Sequence, residues 1–339
     1  MPLTQVDQGL LSSAAQYTGF KNRLINGAMV IDQRNAGASV TPTTSTYTLD
    51  RWGALLSQAS KYSVQQNAGS VTPPIGFKNY LGITSISSYS VTSSNIFGTY
   101  QVIEGNNIAD LGWGAAGAAT VTLSFWVRSS LTGTFGGAIL NNGTTRSYPF
   151  TYTISAANTW EQKSVTIPGD TSGTWLSTNG VGMYVFFGLG VGSTFSGTAG
   201  AWAGTAYYSA TGATSVVGTN GATLYITGVQ LEKGSTATAF DYRPYGTEFA
   251  LCQRYYWSGV SAMYGYYAFG GNVPEGSYVA FPVTMRASPT VAFGANLSAS
   301  LTNADLTTYI TANGFFYYAN VTATGTAGRQ TVTTATAEL

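Results

Sequence analysis

The chain has 339 residues, a formal net charge of +1, 8% charged residues, one cysteine and no histidine. With no basic excess to cover phosphates, nucleic acid is a poor ligand. Without histidine, no Ser–His, Cys–His or His–metal arrangement can be built, and Cys252 has no partner for an intramolecular disulfide.

The 42 glycines and 23 tyrosines, set among many Thr and Ser and few Lys and Glu, favour strands and turns over helices. The expected class is all-β: an N-terminal arm, a jelly-roll β-sandwich, a short linking helix and a small C-terminal β-sandwich. Residues 1–20 are polar and small and form an attachment arm held by another chain. They lack the positive start and apolar block of a secretory signal, so the reading expects synthesis in a cytoplasm and release by another route. The most apolar window, "VGMYVFFGLGVG", is too short and glycine-rich to insert in a bilayer.

Residues 21–245 form the larger sandwich. In "ATVTLSFWVRSS", Val121, Leu123, Phe125 and Val127 alternate with Thr122, Ser124, Trp126 and Arg128, the period of two of a strand with one face on a core. "SYPFTYTI" repeats it with Tyr148, Phe150, Tyr152 and Ile154. "WEQKSVTIP" stops at Pro168, which cannot donate to a central ladder. "YVFFGLGV" and "ATLYITGVQLE" complete the set, at a spacing that suits a sandwich or jelly roll. Two intervals, 41–48 and 193–221, are long and irregular, as functional loops often are.

At "YGTEFALCQRYYW" the period changes to that of a helix. Thr247 as cap, Glu248 in the first turn and Phe249, Cys252 and Tyr256 on one face predict a helix over 248–256, within a hinge at 246–256. Cys252 is then a packing residue. Scarce charges gather here, and Asp241, Arg243, Glu248 and Arg254 are read as ion-pairing residues that lock the joint. Residues 257–339 return to strands dense in aromatics, a thin sandwich with a core of rings.

For chemistry, only carboxylate pairs remain, and the spacing of Asp32, Asp50, Glu104, Asp110, Glu161 and Asp170 pairs none of them; most are expected to be tied to arginines or backbone turns. No cofactor is expected. Exposed rings can stack on the apolar face of a sugar, and the candidates are Trp202, Tyr207 and Tyr208 in the long loop and Trp257, Tyr264, Tyr266 and Tyr267 in the last domain. Packing in a core is the competing role for each ring.

Several phrases carry a resemblance. "NRLINGAMVIDQRN" followed by "LDRW", then "ITGVQLEKGSTATAFDYRPYGTEFALCQRYY", then "FPVTMRASPTV" and the terminal "ATAEL" resemble modules of tail fibres and related virion proteins of tailed bacteriophages, including those of cyanobacteria. The order "VTLSFWVRSS", "TWEQKSVTIP", "LYITGVQLEKG" is also similar to jelly-roll carbohydrate-binding modules. There the last strand commonly ends in an Asp-containing phrase, whereas this chain has Gly228-Val229-Gln230, so no family sugar site carries over. The resemblance implies a non-enzymatic, homotrimeric protein on the virion exterior, of tail-fibre or receptor-binding type. Residues 1–20 would attach it to other virion proteins, and its far end would meet a host-surface glycan. A head-exterior fibre or decoration protein, or a polysaccharide depolymerase, remain the alternatives.

Overall fold

The computed structural model describes residues 21–267, 273–299, 306–321 and 325–339; the expected arm at 1–20 lies outside them. The protein is all-β, with one α-helix among the described residues, and its contacts divide it into two compact units that meet in sequence at Arg243 and Pro244.

In the first unit the strands are β1 (Thr46–Leu49), β2 (Trp52–Leu56), β3 (Tyr62–Gln66), β4 (Leu81–Ser85), β5 (Ile96–Glu104) and β6 (Val121–Ser129). They continue with β7 (Gly133–Leu140), β8 (Ser147–Ile154), β9 (Glu161–Ile167), β10 (Val181–Val191), β11 (Ser196–Gly197), β12 (Ser209–Ala210) and β13 (Thr223–Lys233). A six-stranded sheet in the order β1-β2-β5-β10-β7-β8 faces a five-stranded sheet in the order β3-β4-β13-β6-β9, and both are antiparallel throughout. This is a jelly-roll β-sandwich. The alternation read in β6 and β8 is what fills its middle: Val121, Leu123, Phe125 and Val127 meet Tyr148, Phe150, Tyr152 and Ile154. Phe125 bridges the layers, with ring centroids 5.0 Å from both Tyr152 and Phe187. β9 ends at Ile167, one residue before Pro168.

The chain from Lys21 to Ile31 closes this sandwich along β13. Val229 N donates to Gly27 O at 2.9 Å, Arg23 N to Leu231 O at 3.0 Å, and the Asn22 side chain bonds Val229 O and Leu231 N at 3.1 Å each. The register of β13 against β6 shifts between Thr227 and Gln230, where Gly228 sits at φ 59°, and this bulge turns Val229 toward the closing segment. The phrases "NRLINGA" and "ITGVQLE" are therefore partners in space.

Asp241 and Arg243 serve the same closure. Asp241 Oδ2 accepts from Asn22 N at 3.3 Å and Asp241 N donates to Gln230 Oε1 at 2.8 Å. The Arg243 guanidinium donates to Leu24 O at 3.1 Å and to Asn22 O. These contacts lie within the first unit.

The second unit opens with α1 (Tyr245–Gln253), then β14 (Tyr256–Tyr267), β15 (Val273–Ala280), β16 (Thr290–Ala299), β17 (Leu306–Thr311), β18 (Gly314–Val321) and β19 (Gly325–Thr336). The helix begins earlier than expected and Thr247 does not cap it. Pro244 is the N-cap residue, and Glu248 N donates to Pro244 O at 3.0 Å to close the first turn. Proline pre-sets the entry to a helix without a side-chain cap. Glu248 is in the first turn as expected, Cys252 is buried, and Arg254 ends the helix as its C-cap. Tyr256 belongs to β14 rather than to the helix face.

Two three-stranded sheets follow, β14-β19-β16 and β15-β18-β17. Trp257, Phe281, Met285, Phe315 and Tyr317 form the core with Phe293 packed against it. The ring of Phe293 reaches Tyr317 at 5.2 Å and so joins the two sheets.

Candidate functional site

The outer face of the six-stranded sheet carries a shallow groove of about 210 Å³, lined by Leu55, Tyr100, Leu140, Thr144, Tyr184, Phe186 and Tyr208. Strand register builds it. Along β10, Met183, Val185, Phe187 and Leu189 point into the core, so Tyr184 and Phe186 must point out. Pairing then aligns a row across four strands: Gly53 with Tyr100, Tyr100 with Phe186, Phe186 with Ala138.

Two glycines give this row its depth. A Cβ on Gly53 would lie 2.5 Å from Tyr100 Cζ, and one on Gly98 would lie 2.0 Å from Phe186 Cζ. Because neither glycine has a side chain, the two rings lie down on the sheet instead of standing away from it. Tyr100 contacts Tyr47 at 5.9 Å and Tyr184 at 6.2 Å, so the rings form a band. Underneath, the buried Tyr62 hydroxyl lies 3.1 Å from both Leu55 O and Gly98 O, sharing its one proton between the two carbonyls, and ties β2 to β5.

The far wall comes from two loops. Tyr208 stands edge-on to Phe186 with centroids 5.3 Å apart, and its backbone N donates to Phe195 O at 2.8 Å beside the short parallel pair β11–β12. The turn after β7 is organised by Asn141, whose Oδ1 accepts from Thr145 N at 2.9 Å and Arg146 N at 3.0 Å. That turn brings Thr144 into the groove lining with Tyr208. Burial raises the pKa of Tyr184, with Tyr208 adding to it; burial also raises that of Tyr208, against a smaller opposing effect of Thr144. Both phenols therefore stay neutral well into alkaline solution. The lining has no charged residue, so the groove suits an uncharged ligand with flat apolar faces and hydroxyl groups.

Of the rings expected from the sequence, Tyr208 lines this groove. Trp202 is packed instead: its Nε1 donates to Pro168 O at 2.9 Å, and its ring meets Trp113 at 5.4 Å, Trp175 at 5.6 Å and Tyr148 at 5.2 Å. The Tyr207 ring lies over Gly197. Trp257 is only 8% exposed and sits in the core of the second unit against Phe281, so it is no surface platform. The side chains of Tyr264, Tyr266 and Tyr267 lie outside the described residues. Tyr100 and Tyr184 are not among the rings expected from the sequence, although Tyr184 alternates with a run of core residues and Tyr100 follows Gly98 by two.

The carboxylates sit elsewhere, engaged by basic side chains, side-chain amides or backbone. Asp170 makes a two-pronged pair with Arg146 at 2.7 and 2.8 Å, and Asp110 one with Arg23 at 2.5 and 2.8 Å. Burial works to raise the Asp110 pKa, but the hydrogen bonds and charge of Arg23, with the charge of Lys233, leave it below its ordinary value. Glu161 is lowered by its hydrogen bonds to Lys163 and to Ala156 N. Asp50 accepts from Gln33, Glu104 from Asn106, and Asp32 from the backbone of Asn35 and Gly37.

No protein-family model and no curated protein matches the chain. Among solved structures, it is similar to a putative sugar binding protein from Bacteroides thetaiotaomicron at 12% identity and TM-score 0.37, over 63% of this chain and 100% of the other. It is similar to a family 11 carbohydrate-binding module from Clostridium thermocellum at 11% identity and TM-score 0.28, over 57% and 91% of the two chains. It is also similar to the enzymatically active domain of tailspike protein 4 of bacteriophage CBA120 at 11% identity and TM-score 0.32, over 63% of this chain. The match spans 21% of that tailspike chain. At such low TM-scores none of these likenesses fixes the activity of this chain.

Proposed function

We propose that this protein is a non-enzymatic recognition protein that holds an uncharged glycan in the outer groove of its larger sandwich. The observation that carries this reading is the band of partly exposed rings Tyr100, Tyr184 and Tyr208 on the outer face of the six-stranded sheet, packed around the buried ring of Phe186. A pyranose has an apolar face that stacks on such rings, while its hydroxyls meet the tyrosine hydroxyls and Thr144. The sequence resemblance supplies the setting: the exterior of a tailed-phage particle, as a homotrimeric tail-fibre or receptor-binding protein anchored by residues 1–20 and facing a host-surface glycan.

The test is retention of the purified chain on a printed array of neutral glycans. The wild type binds a defined subset, and Tyr184→Ala lowers that binding by roughly tenfold, the scale of one lost aromatic contact. Equal retention by wild type and variant would refute the groove as the site. Release of reducing sugar from host envelopes by the purified chain would favour the depolymerase alternative instead.

A further inference from the structure

The second unit carries a different aromatic surface. On the solvent side of the β15-β18-β17 sheet, Tyr278 is 52% and Phe316 40% exposed, whereas the alternate residues Phe315 and Tyr317 are buried in the core. The period of two thus fixes the register, and the outward rings are a consequence of it. Tyr278 and Phe316 stand directly opposite each other in the ladder, with ring centroids 6.5 Å apart.

Each ring leans over a glycine on the diagonal, the position two residues along the partner strand that a long side chain can reach. A Cβ on Gly276 would lie 2.8 Å from Phe316 Cε1, and one on Gly314 would lie 2.5 Å from Tyr278 Oη. The two glycines let both rings lie close over the strands, where they remain partly exposed.

We propose that Tyr278 and Phe316 form a second glycan-binding site, an open platform of two rings tilted 45° to each other that receives the apolar face of an uncharged pyranose. Size selects this occupant over a second copy of the chain. A stable protein interface needs about 800 Å² from each partner, and a single aromatic side chain offers only about 150–250 Å² even when wholly buried. Two half-exposed rings match a sugar ring or two instead. Charge selects its class, because Tyr278, Phe316, Gly276 and Gly314 carry none. The Tyr278 hydroxyl, at the edge of the platform, can bond a sugar hydroxyl.

The site is independent of the groove, and the test keeps the two apart. The full chain with Tyr100→Ala and Tyr184→Ala in the groove is applied to a printed array of neutral glycans. It retains a subset of them, and adding Phe316→Leu lowers that retention roughly tenfold. Gly276→Ala, which lifts the Phe316 ring without removing it, has the same effect while the melting temperature stays near that of the parent. Three results would overturn the inference: no retention by the groove-disabled chain, retention that survives both platform substitutions, or a change of oligomeric state on Phe316→Leu in sedimentation. The last would put a second copy of the chain on this face.

Discussion

Arg243 closes the ring of contacts that seals the larger sandwich, since its guanidinium serves the carbonyls of Asn22 and Leu24 from the opposite end of the unit. Removing it leaves buried acceptors without a donor, an effect of about 1–3 kcal/mol. Arg243→Ala is expected to lower the melting temperature measurably, and Arg243→Lys, a point donor on a flexible stem, to lower it less. A melting temperature unchanged in both would show that the closure depends on other contacts. Tyr62→Phe removes the hydroxyl that bridges β2 and β5 and is expected to cost about 0.5–1.5 kcal/mol in denaturant unfolding. Asp110 and Glu161 contribute to the acid dependence of stability. Their pKa values are lower in the folded chain than in the unfolded one. The stability they contribute is therefore complete above the unfolded carboxylate range and is lost as the pH falls through the lower, folded values. Unfolding followed from pH 6 down to 2 should show stability falling below about pH 4.

At the scale of elements, the recurring device is a ring laid over a cross-strand glycine. Gly98→Ala would bring a methyl group into the Phe186 ring, tilt it and deform the groove; the expected result is weaker glycan binding with about 1–3 kcal/mol of lost stability. Binding that persists at full strength in Gly98→Ala would show that ring orientation does not matter. The core strands β6, β8, β10 and β13 are legible in the sequence because one face of each is buried and the period of two survives as an apolar alternation. The groove is less legible for the same reason. Tyr184 lies on the face opposite Met183, Val185 and Phe187, and attention to the core passes over it. Its neighbour Tyr100 sits on β5, a strand whose glycine and polar residues mask the alternation, and only pairing brings the two together. The loop at 193–221 was recognisable as irregular, but which of its rings packs and which lines the groove depends on neighbours far away in sequence, Trp113 for Trp202 and Phe186 for Tyr208. The helix start is less legible, because Thr247 resembles a side-chain cap and the N-cap residue is Pro244, which makes no side-chain cap bond.

At the scale of the whole molecule, the scarcity of charge shapes the expected behaviour. A groove with neutral walls, holding a neutral ligand by stacking and hydroxyl contacts, has little for salt to screen. Glycan affinity should change less than about twofold between ~50 mM and ~500 mM salt, over a range in which an ionic contact would weaken severalfold. It should also be flat from pH 5 to about 9, because burial keeps the phenols of Tyr184 and Tyr208 protonated. Light scattering tests the proposed trimer, with a monomeric mass as the result against it. The central claim, that the band of rings on the larger sandwich binds glycan, is tested most directly by calorimetric titration of the best array ligand into the wild type, Tyr184→Ala and Tyr100→Ala. Affinity reduced about tenfold in each variant, with melting temperatures held, is the predicted result. Affinity equal to the wild type in both folded variants would contradict it.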